Sequence, residues 1–231
     1  QFLGVGTIVA LHWILFFESI KVSTVSVALA TLASASLFTA LLEPLFFKRK
    51  IIGYEFLFGI LVIIGLVLIF RFETQYALGI TMALGSAFCA SLFTVLNGKL
   101  VKFGHRPKLI STYEMLGGFL VICIYFLVTG SFKVEWFQPQ TSDIIWIVIL
   151  GLACTSFAFV VSVEVMKELS PFTVSISINM EPVYSILLAL LFFGEDERMT
   201  NGFYVGALLI ISTILANAWL KKRMRKKLQH G

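Results

Sequence analysis

The sequence predicts an all-α, polytopic transmembrane helix bundle, and three observations carry that prediction. Of the 231 residues, 58% are hydrophobic and 13% charged, against roughly 45–50% and 25% in a soluble domain. The mean hydropathy is +0.95. The charges gather between long apolar runs, whereas an amphipathic soluble helix repeats them along one face of each turn.

A span needs about 20 apolar residues to cross a hydrocarbon layer of about 30 Å. Eight segments qualify: residues 4–20, 23–47, 52–71, 76–98, 110–129, 143–166, 171–194 and 203–220. Ser170-Pro171 supplies an N-cap followed by proline at the first helical position of the seventh span, and Thr141 or Ser142 is the expected cap of the sixth. In the fourth span Ala83, Ala87 and Ser91 recur every four residues, a stripe that admits a neighbouring backbone. Cys89, Cys123 and Cys154 each stand alone in an apolar run and read as small buried hydrophobes, not as a disulfide or zinc set.

Lysine and arginine divide unequally between the two ends of the spans. Lys48, Arg49, Lys50, Lys99, Lys102, Arg106, Lys108, Lys167 and the basic residues of the 221–231 tail fall on one side; Lys21, Arg71, Lys133 and Arg198 fall on the other. The positive-inside rule places the richer side, and with it both ends of the chain, in the cytoplasm. The expected location is the plasma membrane, in a bacterium the inner membrane. The net charge of +5 then orients the chain and meets lipid headgroups. No face interleaves basic with aromatic residues, so nucleic acid is not an expected partner.

Offsetting the chain against itself by 146 positions aligns Glu18 with Glu164, Lys21 with Lys167, and Leu41, Leu42, Leu45, Phe46, Phe47 with Leu187, Leu188, Leu191, Phe192, Phe193; one residue further on, Gly59 meets Gly206. The offset spans five helices, an odd number, so the two copies cross the membrane in opposite senses. Such inverted repeats are a recurrent plan of secondary transporters, with the site near the midplane between the copies. Residues 1–71 then hold the last three helices of the first copy, 76–220 the five helices of the second, and 221–231 a basic cytoplasmic tail. Two helices and about 70 residues are expected upstream of Gln1, giving a 5+5 fold of ten spans.

The stretch Asn179-Met-Glu181-Pro182 through Gly194-Glu195, introduced by Ser170-Pro171, resembles the motif of the EamA family within the drug/metabolite transporter superfamily. The resemblance covers the whole chain, which is similar to helices three to ten of that family. It implies two inverted five-helix halves, a central cavity and alternating access for small polar metabolites. The first copy departs from the motif, with Ala35-Ser36 in place of Glu181-Pro182 and Lys48-Arg49 in place of Gly194-Glu195.

The expected function is therefore that of a secondary permease or exporter for small metabolites, amino-acid-like compounds among them. A phosphorylated-sugar or nucleotide-sugar antiporter is the alternative, but it calls for Lys or Arg at mid-depth, and every basic residue here lies near a span end. No HExxH, GxSxG or clustered acid and histidine set points to an intramembrane enzyme or a metal site. A structural membrane subunit is the remaining rival. No cofactor is expected, beyond protons that transport is coupled to.

Polar residues at mid-depth are rare and are functional suspects. His12, beside Trp13, is either a neutral imidazole bonded to a neighbouring helix or, with Trp13, a wall of the cavity. Glu18 with Lys21 and Glu164 with Lys167 are spaced for ion pairs on one helix face. They read as interfacial pairs or, lying on opposite sides of the membrane, as alternating gates. Glu43, one turn before Lys48, Arg49 and Lys50, reads as a surface ion pair of little worth, and Glu114 as interfacial or mouth-lining. Glu195, Asp196 and Glu197 read as a solvated loop. Glu181 lies about ten residues, or about 15 Å, into its span, where a carboxylate costs about 2.5–3.5 kcal/mol unless it is protonated or offset. Pro182 cannot donate to the carbonyl of Ile178 and is expected to kink the helix. Asn179, the freed carbonyl and Glu181 then make one polar spot, which serves either to hold the helix's shape or to carry protons.

Overall fold

The computed structural model describes residues 1–48, 53–133, 139–178, 181–194 and 199–229. Every element among them is helical: α1 (Phe2–Val22), α2 (Val25–Leu32), α3 (Ala35–Phe47), α4 (Gly53–Phe72), α5 (Ala77–Lys102), α6 (Pro107–Thr129), α7 (Thr141–Val148), α8 (Ala158–Glu164), α9 (Pro171–Ile178), α10 (Glu181–Phe193) and α11 (Asn201–Gln229). A π-helical stretch, Ile149–Phe157, joins α7 to α8, and short 3-10 turns precede α5 and follow α8. Among the described residues five stretches are long and apolar enough to cross a membrane: Phe2–Val22, Val25–Phe47, Thr74–Lys102, Pro107–Thr129 and Thr141–Lys167. Shorter apolar stretches, Leu57–Ile69, Tyr184–Phe193 and Asn201–Thr213, stand where the other three spans are expected.

The second expected span is not one uniform helix. At Ala33 and Ser34 the chain tightens, with Ser34 N–H donating to Thr31 O at 3.0 Å and Leu37 N–H to Ser34 O at 2.9 Å, the i to i−3 pattern of a 3-10 turn. Such a turn disturbs the regular ladder, and hydroxyls reinforce it: Ser91 Oγ from α5 donates to Ala35 O at 2.6 Å, and Thr39 Oγ1 to the same oxygen at 2.8 Å. The seventh expected span is likewise described as two helices, α9 and α10. The backbone of Pro182 lies in α10. Its expected kink depends on the path through residues 179–180, which lie outside the described residues. Helix α11 runs on to Gln229, so the basic tail continues the last helix.

Caps show which parts of the local chemistry act. Thr24 Oγ1 accepts Val27 N–H at 3.2 Å at the start of α2, and Ser170 Oγ accepts Thr173 N–H at 3.3 Å at the start of α9. These two caps are separated by the 146-residue offset of the sequence repeat. The sixth span is capped by Gln140 rather than by Thr141 or Ser142, because Asp143 reaches back to Gln140 N–H at 3.0 Å in a capping box.

Helix α5 lies at the centre, against α1, α2 and α3. Ala83, Ala87 and Ser91 are all buried there. Helix α1 also packs on α6 through glycines: a Cβ at Gly6 would lie 2.5 Å from Glu114 O, and one at Gly117 2.8 Å from Leu3 O. Helices α4 and α11 pack on each other, a Cβ at Gly65 meeting Ile210 and Gly206 O, and one at Gly206 meeting Ile69 and Gly65 O. The contact is reciprocal between Gly65-Leu-Val-Leu-Ile69 and Gly206-Ala-Leu-Leu-Ile210. Gly206 therefore matches Gly65 in space, whereas Gly59 sits under Leu37. Cys89 is buried, Cys123 half-buried and Cys154 exposed on the π-helical stretch, so only the first behaves as a core hydrophobe; all three are free thiols.

The helix ends form two layers. In one, the ends of α3 and α5 meet the start of α9: Lys99 lies over the ring of Phe46, Lys102 over that of Phe47, and Gly98 against Pro171. In the other, Ser19 Oγ of α1 donates to Gly79 O at 2.9 Å, and Thr24 touches Met199. Lys48, Lys99, Lys102 and Lys167 accordingly belong to the first layer and Lys21 to the second, as the charge count requires. Arg49, Lys50 and Arg198 lie outside the described residues.

Candidate functional site

Between α1, α2, α3, α5, α9 and α10 lies a cavity of about 110 Å³ lined by His12, Leu32, Ala33, Ala35, Ala90, Thr94, Ser175, Ile178 and Glu181. Two pairs of its walls, Leu32 with Ile178 and Ala35 with Glu181, are separated by the repeat offset of 146. The tightened turn at Ala33-Ser34 opens one wall, and the end of α9 with the start of α10 forms the other. Glu181, half-buried, stands on α10.

His12 is held from α5. Its Nδ1 lies 2.8 Å from Ser86 Oγ and 3.0 Å from Ser86 O, while Ser86 Oγ donates to His12 O at 3.0 Å. Ser86 has one hydroxyl hydrogen, used on the His12 carbonyl, so the network assigns the imidazole proton to Nδ1 and leaves Nε2 as the acceptor. The ring is flanked by Phe16 and Phe93. His12 is thus bonded to a neighbouring helix and also faces this cavity.

Trp13 goes elsewhere. Its ring edge approaches Gly118 on α6, and it is not among the residues lining the cavity. Successive helix residues point about 100° apart, so the pair cannot share one wall. Asn179 lies outside the described residues, as do Glu195, Asp196 and Glu197. Of Pro182 only the backbone is described, next to Glu181.

Glu18 and Lys21 pair at 2.7 Å, and Glu164 pairs with Lys167. Each pair forms within one helix. Lys21 keeps 66% of its side-chain surface exposed, and Glu164 and Lys167 keep about half, so solvent screens both pairs.

Three acids take roles that the local pattern does not announce. Glu43 is buried, not at the surface, and Oε2 accepts Phe172 N–H at 2.8 Å, capping α9. Glu73 is buried at the end of α4 and Oε1 accepts Thr200 N–H at 2.9 Å and Thr200 Oγ1–H at 2.7 Å, capping α11. Glu114 is fully buried, not interfacial, and Oε2 accepts Asn97 Nδ2–H at 3.0 Å. A second hollow of about 360 Å³ lies between the start of α1 and the end of α5, with Gln1 and Lys99 among its walls. Among the described residues no group of acids, histidines and cysteines is placed to hold a metal.

The family model described as the EamA-like transporter family matches residues 77–219. The chain belongs to that family. An EamA-like transporter is a multi-pass integral membrane protein, consistent with the apolar helices above. A Bacillus subtilis (strain 168) protein, described as the uncharacterized transporter YxxF, is 24% identical over 199 residues, covering 84% of this chain and 62% of that protein. The chain thus spans 62% of that relative's length. A protein of known crystal structure superposes with a TM-score of 0.65 at 18% identity, over 94% of this chain and 74% of that one. This EamA-like chain shares its fold.

Proposed function

We propose that this EamA-like protein is an alternating-access permease that exports small polar metabolites, amino-acid-like compounds first among them, and that protons drive it through Glu181. The cavity carries this reading, because walls related by the repeat offset enclose a carboxylate, an imidazole and two hydroxyls at one point between the halves. At about 110 Å³ it is smaller than the roughly 300–1,000 Å³ of ligand pockets. This is what a closed intermediate of such a cycle requires. Among the described residues its walls include Glu181 and no Lys or Arg, which favours an amine-bearing or zwitterionic cargo over a phosphorylated sugar.

The matched caps at Thr24 and Ser170 and the reciprocal Gly65–Gly206 contact support two inverted halves of a ten-span protein. In that arrangement α1, third of its half, packs on α5 and α6, the first two of the other half. The counterpart Thr141–Lys167 span has a face with none of its most apolar window buried, open to the corresponding pair ahead of α1.

The test is counterflow in proteoliposomes holding the full-length protein, with amino acids and sugar phosphates offered as separate mixtures. Exchange of amino acids and its loss in Ser175→Trp, which fills the cavity, is expected. Exchange of sugar phosphates alone would overturn the substrate class.

A further inference from the structure

Where α1, α5 and α6 meet, away from the cavity, three buried oxygens lack partners: Glu114 Oε1, Asn97 Oδ1 and Ser111 Oγ. Glu114 is 0% exposed, and Asn97 and Ser111 1% each. Hydroxyls in these helices donate to a carbonyl one turn back, as Thr7, Thr94 and Thr112 do, so Ser111 stands apart. It lies one turn before Glu114 on α6 and so shares its face.

The three orphans belong to one cluster. Asn97 Nδ2 already donates to Glu114 Oε2, and the two atoms left over on that pair are both acceptors. A carboxylate would strand them in a dry interior, where each unsatisfied group costs about 1–3 kcal/mol. A hydrogen on Glu114 Oε1 directed to Asn97 Oδ1 would satisfy both atoms and close the pair as a two-point acid–amide ring. A metal ion would demand more oxygens than the cluster offers, whereas a proton needs no volume.

Among the described residues, several titratable groups on the adjoining helices are engaged elsewhere. On α1, His12 bonds Ser86, and Glu18 bonds Lys21. On α5, Lys99 and Lys102 lie over phenylalanine rings, and on α8 Glu164 meets Lys167. The Gly6 contact, with the α1 backbone against Glu114 O, seals the site.

We propose that Glu114 and Asn97 form a proton-binding site, distinct from Glu181, in which one exchangeable proton bridges Glu114 Oε1 and Asn97 Oδ1. The proton leaves only when α1 moves off α6, so its exchange with water reports that motion.

Infrared spectroscopy of the full-length protein in lipid at neutral pH tests this without any transported substrate, so it stands or falls apart from the transport reading. A protonated-acid carbonyl band is expected to remain in Glu181→Gln, to be absent in the Glu181→Gln/Glu114→Gln double variant, to shift to higher frequency in Glu181→Gln/Asn97→Leu, and to shift slowly in heavy water. Should Glu114→Gln fail to fold, the shift in Asn97→Leu measured on the Glu181→Gln background decides. Absence of the band in Glu181→Gln, or its loss on adding sodium chloride, would overturn the proposal, the first pointing to a water-bridged carboxylate and the second to a metal ion.

Discussion

Glu43 Oε2 and the backbone N–H of Phe172 meet at 2.8 Å across 129 residues of sequence, tying the end of α3 to the start of α9. A buried carboxylate at a helix N-terminus satisfies an otherwise orphan donor and faces the positive end of the helix dipole. Glu43→Ala is expected to cost about 1.5–3 kcal/mol, the range for a hydrogen bond to a charged group. It should appear as a lowered thermal unfolding midpoint in detergent. Glu43→Gln keeps an acceptor and should lose less, and Lys48→Ala should change little. Equal losses in Glu43→Ala and Lys48→Ala would restore the surface ion pair.

The close approach of α1 to α6 leaves no room at Gly6, where a Cβ would meet backbone atoms of Glu114, Gly117 and Gly118 within 3.0 Å. Backbone cannot rotate away as a side chain can. Gly6→Val should therefore destabilise by about 1–3 kcal/mol or more, read as lost monodisperse protein on size-exclusion chromatography. Gly4, with nothing near it, is the control: Gly4→Ala should be neutral.

These contacts mark how far the sequence was legible. Hydropathy and charge placement locate the helices because lipid penalises each unpaired backbone group, and that signal is local. The i,i+3 pairs at Glu18–Lys21 and Glu164–Lys167 follow from helix geometry alone. His12 was legible as a polar residue at mid-depth, and its position opposite Glu181 on the cavity agrees with the repeat. Glu43, Glu73 and Glu114 were not, since their partners lie 129, 127 and 17 residues away and each sits near charged residues that suggest a surface. Trp13 stands apart from this cavity for a simpler reason: adjacency in a helix separates directions. The tightened turn at Ala33-Ser34 carries no proline or glycine to announce it.

The exposed pairs should contribute little to stability, about 0–1 kcal/mol each. Lys167→Glu places two acids side by side, yet the unfolding midpoint should stay within a degree or two, on the order expected for such an energy. If transport is also unchanged, Glu164 and Lys167 have no gating role; a selective loss of transport at unchanged stability would establish one.

His12 and Trp13 separate binding from packing. His12→Ala removes a cavity wall together with its bonds to Ser86, and should weaken substrate exchange at unchanged expression. Trp13→Ala removes a ring from the α1–α6 seam and should lower the unfolding midpoint, by about 3–5 kcal/mol at most for a half-buried site, with substrate affinity retained. A reversed pattern would move the cavity to the Trp13 side of α1.

Coupling through Glu181 is the central claim, and one measurement addresses it most directly. In proteoliposomes of the full-length protein, accumulation of substrate is driven by an imposed pH gradient, and exchange is measured without one. Glu181→Gln preserves the size and neutral form of the side chain and cannot release a proton, so exchange should persist while gradient-driven accumulation is lost. Accumulation at the wild-type level in Glu181→Gln would contradict the account.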